Sequence, residues 1–281
     1  MKVVFIGGLT EGKIVYDYLV RNRYVDLKMV ITYADEYDGP RHVCMPDGYN
    51  VIKGVPSNYL LEEIRSAAPD LIFVAGWSEL LSEEVLSVPR LGAIGFHPAK
   101  LPFDRGRSVL AWQIEEGYRE TFMTMFYYSK YPDGGDIIAQ EKVVIERNDY
   151  ISDILDKMDM AIYNLIYAYF PLIRKGLAVA RKQDLSEGNF RRLRKGRDSE
   201  IDWNKNSECI YNKIRAISRP YPGAKTTIDG IGYLVWKANI IPNFISGNFL
   251  LPGSLVATLH DKTFLVKTRD SFVHITDFTI V

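Results

Sequence analysis

Four short apolar runs, each followed by a segment with helical spacing or helix-start signals, constrain this chain more than any other feature. VVFIGG (Val3–Gly8), LKMVITYA (Leu27–Ala34), DLIFVAGW (Asp70–Trp77) and GAIGFH (Gly92–His97) are compact and rich in β-branched residues, as strands buried on both faces are. Ile14, Val15, Tyr18 and Leu19 recur at helical spacing after the first run. A helix is expected around Ser57–Ala67, and a shorter one from Ser82. Strands alternating with helices predict an α/β domain, a Rossmann-like, doubly wound, mostly parallel sheet. Ligands of such sheets gather where strands reach their carboxyl edge, and Trp77 and His97 each lie at such an end.

Further along, Ser108–Glu116 reads as a helix, TFMTMFYYS as an alternating strand, PDGGD (Pro132–Asp136) as a turn and IIAQEKVVI as another strand. A long helix is expected from Tyr150 to about Lys175. Arg181–Glu200 is polar, charged and weakly periodic, which reads as a linker. After a helix near Ser207–Ile217 come short alternating runs, YLVWKANII, SLVATL, TFLVKT and FVHITDFTIV. They predict a small β-rich, barrel-like (OB-like) appendage. The expected division is therefore a first domain over 1–180, a linker over 181–204 and the β-rich domain over 205–281.

Composition narrows the function classes. Lys plus Arg and Asp plus Glu each number 35, giving a formal net charge of zero. A nucleic-acid binder usually shows a basic excess, so nucleic acid is not the expected partner. Cys44 and Cys209 are the only cysteines, which argues against a disulfide framework or a cysteine-rich zinc site. MKVVFIGG is too short for a secretory signal and no run approaches a membrane span, so a cytoplasmic protein without a membrane partner is expected. GGLTEGK (Gly7–Lys13) fits the phosphate-binding pattern G-x-x-x-x-G-K. The next residue is Ile14 rather than the Ser or Thr that would hold magnesium, so these glycines read as a tight strand-to-helix turn.

His97 stands apart from His42, His260 and His274 by its position: a strand end, followed by a loop that Pro98 and Pro102 stiffen. There the imidazole is expected to be exposed. Asp133, on the PDGGD turn, is a candidate partner that would fix the tautomer and raise the basicity of the ring.

HPAKLPFDRGRSVLAW, then Glu120–Thr121, then DGGDIIAQ (Asp133–Gln140) resemble the core of the N10-formyltetrahydrofolate-dependent formyltransferases. That family includes the methionyl-tRNA formyltransferases and the enzymes that formylate nucleotide-linked amino sugars. IDW (Ile201–Trp203) and IRAISRPYPGA (Ile214–Ala224) resemble the family's passage into its appended barrel, so the likeness covers essentially the whole chain. It implies one-carbon acyl transfer, with His97 and Asp133 as catalytic residues and N10-formyltetrahydrofolate as co-substrate. It also places the folate against Glu79, Leu80, Leu81, Arg107 and the turn Ser129, Lys130, Tyr131, Pro132 and Asp133, and it requires no metal. Two positions depart from the family pattern N-x-H-x-S-x-L-P. Gly95 stands where the family has the asparagine that donates to the developing oxyanion, and the serine gives way in the Pro98–Ala99 part of the loop. A protonated His97, a backbone N–H or Lys100 are the candidate replacement donors. Without one, the chain would be a weakly catalytic relative that binds folate or nucleotide.

The acceptor follows from charge. The loop after the second strand carries Asp35, Glu36, Asp38 and Asp47 against Arg41, whereas the tRNA-acting members of the family place a basic loop there. The segment from Lys225 onward is nearly neutral. The one basic cluster, FRRLRKGR (Phe190–Arg197), reads as a solvated linker, with neutralisation of a nucleotide diphosphate as the alternative. A nucleotide-linked amino sugar is therefore the expected acceptor and methionyl-tRNA the second. The appendage is left open between ligand binding, homodimer formation and the covering of apolar surface.

Overall fold

The computed structural model describes residues 1–46, 48, 50–242 and 250–281. Its strands are β1 (Lys2–Gly7), β2 (Asp26–Thr32), β3 (Val51–Lys53), β4 (Leu71–Ala75), β5 (Ala93–His97), β6 (Arg105–Gly106), β7 (Glu120–Tyr127), β8 (Ile137–Val144) and β9 (Phe190–Arg191). There follow β10 (Ala224–Ile228), β11 (Ile231–Ile241), β12 (Leu255–Thr258), β13 (Phe264–Lys267) and β14 (Phe272–Ile280). The α-helices are α1 (Leu9–Arg21), α2 (Leu61–Ala67), α3 (Glu83–Leu86), α4 (Val109–Glu115), α5 (Ile151–Arg174) and α6 (Ser207–Ala216). Contacts divide the chain into two compact units. One comprises Met1–Gly106, Thr121–Val143 and Asp156–Arg191, the other Arg107–Glu120, Val144–Leu155 and Arg192–Val281.

The first unit holds a seven-stranded sheet in the order β3-β2-β1-β4-β5-β7-β8. From β3 to β5 the strands are parallel, and β7 runs antiparallel to β5. The order turns at β1, with β2 and β3 on one side and β4 and β5 on the other, the topology that opens a crevice at the carboxyl ends. Alternation assigns the faces. Val4, Ile6, Met29, Ile31, Ile72, Val74 and Ala93 form one buried cluster with Leu60, Ile64, Leu81 and Val85. On the other face Phe5 meets Tyr16 of α1, and Phe73 meets Phe170 of α5. Gly95 and His97 follow Ala93 at intervals of two, so their side-chain positions share its face.

The stretch GGLTEGK forms the β1–α1 turn. Gly8 N–H donates to the carbonyls of Ala75 and Gly76 at 3.3 and 3.2 Å, and Lys13 pairs with Asp17 at 2.6 Å. The backbone donor and the cation of a phosphate cradle are thus both engaged internally.

The second unit carries α4, α6 and a five-stranded antiparallel sheet in the order β10-β11-β14-β13-β12. Register shifts at Val235–Ala238 raise local twist and curl the sheet. Arg215 is fully buried, donating to Asn212 and to the Asp149 carbonyl, each at 2.8 Å. Trp203 of the IDW motif donates its indole N–H to Thr226 at 2.8 Å.

The linker reading of 181–204 differs from the structure. Arg181 exchanges two 2.8 Å backbone bonds with Ile137, β9 pairs in parallel with β6, and a 3-10 turn spans Gly196–Ser199. This segment engages through backbone and polar groups, which leave no hydrophobic period in the sequence.

One close approach is open to test. A Cβ on Gly7 would stand 2.1 Å from the Ala75 carbonyl oxygen. Gly7→Ala is expected to lower stability by about 1–3 kcal/mol in urea unfolding; an unchanged midpoint would show that the turn has slack.

Candidate active site

His97 ends β5 and is only 5% exposed, so the imidazole is buried rather than presented to solvent. Its Nε2 lies 2.8 Å from the backbone carbonyl of Asp104. A carbonyl only accepts, so Nε2 carries the proton and the neutral ring keeps its lone pair at Nδ1. Asp133 Oδ1 lies 3.5 Å from that Nδ1. This corrects the sequence expectation about the tautomer. The carbonyl of Asp104 fixes it, and Asp133 faces the nitrogen that gains a proton.

Asp133 and Asp104 both occupy the left-handed backbone region, at φ 53° and 54°. Non-glycine residues there carry roughly 1–3 kcal/mol of strain that the surroundings must hold, and the surroundings here are dense. Gly106 N–H donates to Asp133 Oδ2 at 2.8 Å, and Gln183 Nε2 donates to the carbonyls of Asp133 and Gly135 at 2.9 and 2.6 Å. The buried Asp104 carboxylate accepts from Asn189 Nδ2 at 2.8 Å and from Arg191 Nε at 2.6 Å. Asn189 Oδ1 takes the Asp104 N–H at 2.8 Å. The proline loop is tied from beneath by Thr124, which donates to the Ala99 carbonyl, and by Gln140, which donates to the Leu101 carbonyl at 3.1 Å. The sequence carries no sign of Asp104, Asn189 and Arg191 as site residues, because nothing in their spacing signals contact across 85 and 87 positions.

Asp133 reaches His97 by a route that strand order alone does not show. Because β7 opposes β5, its end lies at the start of β5, where Tyr128 N–H donates to the Ala93 carbonyl at 2.7 Å. The chain then runs back toward His97 and returns, with Tyr127 N–H bonding the Asp136 carbonyl at 2.9 Å. Within that excursion Ser129 Oγ caps Tyr131 through both its N–H and its carbonyl. Lys130 lies over the Tyr131 ring.

After β4, Asn58 pins the loop by donating to the Leu80 carbonyl at 2.9 Å and accepting from Ser82 N–H at 2.8 Å. Leu80 is held 68% exposed, Leu81 joins the core and Glu79 is half-buried. Tyr33, past β2, stacks on Trp77 and on Tyr37, and its hydroxyl accepts the Ser78 N–H at 2.9 Å. The buried indole N–H of Trp77 finds no protein acceptor among the described residues. The structure therefore brings His97 and Asp133 together and leaves Leu80 exposed on the loop that follows Trp77. Arg107 is exposed.

Three arginines of the basic cluster are paired with carboxylates, while Lys195 and Arg197 are exposed. Arg191 meets Asp104, Arg192 meets Asp198 at 2.6 Å, and Arg194 meets Glu115 at 2.6 Å. In the loop after β2, Arg41 is turned inward onto Asp159 and Glu11. Burial outweighs Arg41 and pushes the Asp159 carboxyl up to about 6, with Glu11 adding to the rise. Asp35 pairs with Lys53, Glu36 and Asp38 are exposed, and Asp47 lies outside the described residues. No helix among the described residues is long and apolar enough to cross a membrane.

Residues 1–168 match the family described as formyl transferase, and residues 194–280 match the formyl transferase C-terminal domain. The methionyl-tRNA formyltransferase of Staphylococcus aureus (strain MW2) is 29% identical over 284 residues, spanning 96% of this chain and 88% of that protein. Among solved structures, an N-formyltransferase from Helicobacter canadensis, in complex with folinic acid and dTDP-3-aminofucose, aligns with a TM-score of 0.71 at 19% identity, over 99% of this chain and 100% of that one. HypX from Aquifex aeolicus, in complex with tetrahydrofolic acid, aligns with a TM-score of 0.73 at 20% identity; the match takes in 99% of this chain and 44% of that longer one.

The tautomer is directly measurable. With ¹⁵N-labelled histidine, neutral His97 is expected to show a protonated Nε2 and a bare Nδ1. The reverse assignment would mean that the Asp104 carbonyl does not hold the ring.

Proposed function

The chain belongs to the formyl transferase family, and from that premise we propose that it transfers the formyl group of N10-formyltetrahydrofolate to the primary amine of a nucleotide-linked amino sugar. The observation that carries the catalytic part is the buried His97, with Nε2–H committed to a carbonyl and Nδ1 free toward Asp133. The folate supplies an electrophilic formyl carbon. His97 takes the proton released by the attacking amine at Nδ1. The imidazolium that results donates to the Asp104 carbonyl on one side and faces the Asp133 carboxylate on the other, so its charge is stabilised as it forms. The single open nitrogen also gives the proton one route. Glu79, Leu80, Leu81 and the turn from Ser129 to Asp133 are the residues assigned to hold the folate. Exposed Leu80 and the stacked Tyr33–Trp77 pair suit a flat heterocycle, and the partnerless indole N–H of Trp77 suits an acceptor on it.

The choice of acceptor rests on charge. A tRNA acceptor stem calls for cations that neutralise phosphates. Here Arg41 is consumed inside the fold, Glu36 and Asp38 face solvent, and three arginines of the basic cluster already hold carboxylates. A small nucleotide sugar needs no such surface. The 29% identity to a methionyl-tRNA formyltransferase over nearly the whole chain supports methionyl-tRNA as the second reading.

Incubation with N10-formyltetrahydrofolate and a panel of UDP-, dTDP- and GDP-linked amino sugars, with methionyl-tRNA alongside, is expected to add the mass of CO to one nucleotide sugar. Formylation of methionyl-tRNA alone would replace the first reading by the second. Under the sugar reading, His97→Ala and Asp133→Asn are each expected to lower kcat by about 100-fold or more. Folinic acid affinity should fall far less than kcat in each variant. Near-normal rates in both variants would remove the catalytic assignment.

A further inference from the structure

Gly95 occupies the position from which the resemblance expects an oxyanion-binding asparagine, and the structure shows what fills that space. A Cβ built on Gly95 would lie 2.1 Å from Cε2 of Tyr128 and 3.1 Å from its Cζ. No longer side chain at position 95 fits while the ring is there. Tyr128 is held in place by its own backbone bond to Ala93, by stacking on Phe126 (5.4 Å between centroids, 15° between planes), and by packing against both Ala93 and Leu101 clusters.

The ring therefore covers Gly95 on the sheet face to which His97 also belongs, because positions 95 and 97 of β5 point the same way. Cζ carries the hydroxyl, which places Oη within one side-chain length of the spot an asparagine amide would occupy. Among the described residues this hydroxyl makes no hydrogen bond, although its neighbours Tyr33 and Asp133 are polar. Burial, with Asp133 and Tyr33 acting in the same sense, raises its pKa, so the phenol stays protonated at neutral pH and remains a donor.

Of the donors that the sequence offers as replacements, none is aimed at this spot. Nε2–H of His97 is bound to the Asp104 carbonyl, Gly106 N–H is bound to Asp133, and Lys100 lies over the Phe122 ring at 4.9 Å. Building on the formyl-transfer reading, we infer that Tyr128 is a catalytic residue whose hydroxyl donates to the formyl oxygen as the amine attacks, in the role the absent asparagine would have filled. No bond to Tyr128 forms or breaks. The C–N bond to the incoming amine forms, negative charge develops on the formyl oxygen, and the phenol O–H donates to it without giving up its proton. When the C–N bond to the folate breaks, that charge collapses back into the carbonyl, and N10 leaves as the amine of tetrahydrofolate carrying the proton that His97 took from the attacking amine.

The test compares wild type, Tyr128→Phe, Gly95→Asn, Tyr128→Gly and Gly95→Asn/Tyr128→Gly. Tyr128→Phe keeps the ring and its packing. It is expected to lower kcat about 100-fold or more, as loss of one oxyanion donor does, while folinic acid affinity and melting temperature stay near wild type. A kcat within about threefold of wild type would overturn the assignment. The same pair is read on hydrolysis of N10-formyltetrahydrofolate by water, which develops the same oxyanion and needs no amine. Hydrolysis that falls in Tyr128→Phe, in a protein that formylates no acceptor offered, supports Tyr128 and removes only the acceptor reading. Absence of both catalysed transfer and catalysed hydrolysis removes both.

Stability supplies a readout apart from catalysis. Gly95→Asn alone is expected to lower the melting temperature by about 3 °C or more through the clash with the ring, and that penalty should vanish when the ring is gone, so that Gly95→Asn/Tyr128→Gly melts no lower than Tyr128→Gly alone. Gly95→Asn that melts like wild type would show that Tyr128 does not occupy that space, overturning the proposal.

Discussion

A buried hydrogen bond from His97 Nε2–H to the Asp104 carbonyl organises the rest of the site. It sets which nitrogen is basic, and it requires the backbone at Asp104 to turn its carbonyl inward. That orientation comes with a left-handed φ, which the chain holds only because Asn189 and Arg191 grip the same residue from three directions. A buried carboxylate such as that of Asp104 would be destabilising alone; paired with a guanidinium and an amide, it becomes an anchor. The proline loop, the β6–β9 pairing and the segment before Arg192 are thus one device for placing a single carbonyl oxygen.

The parallel part of the fold was legible because its signal is physical and local. Strands buried on both faces must be apolar throughout, and VVFIG, KMVIT and LIFVA carry that requirement openly. β3 and β10 carry no such signal: VIK is short, and AKTTI alternates weakly beside a proline-rich turn. The antiparallel placement of β7 was invisible as well, since period-two alternation reports a face but not a direction. That direction decides the site, because it makes the loop carrying Asp133 run back along β5 rather than simply leave the sheet edge.

Among site residues, motif resemblance and position point to His97 and Asp133, but nothing local points to the groups that orient them. Asn189 and Arg191 sit in a polar run that reads as solvated chain, and Arg191, Arg192 and Arg194 read as a basic patch. Three separate carboxylates, Asp104, Asp198 and Glu115, take up three of its cations and leave Lys195 and Arg197 exposed. Charge counted along a sequence measures potential only when partners distant in sequence are known. Arg41 makes the same point inside the acidic loop, where Asp159 and Glu11 absorb it.

Read in isolation, Gly95 marks a loss, because glycine has no side chain with which to donate. Paired with Tyr128 it marks a relocation. Gly95 lies opposite Phe126 in the β5–β7 register, and Tyr128, two positions on, shares its face. Moving a donor from one strand to the segment that continues its neighbour keeps it on the same side of the sheet as His97. An amide on a short side chain is replaced by a phenol on a long one, so the strand must thin to glycine to admit the ring. The ring's apolar body also suits this position better than an amide would, since it packs on Phe126 and beside Leu101. Packing of that kind fixes the direction of the phenol before the reaction begins, so the donor need not reorganise as charge develops on the formyl oxygen.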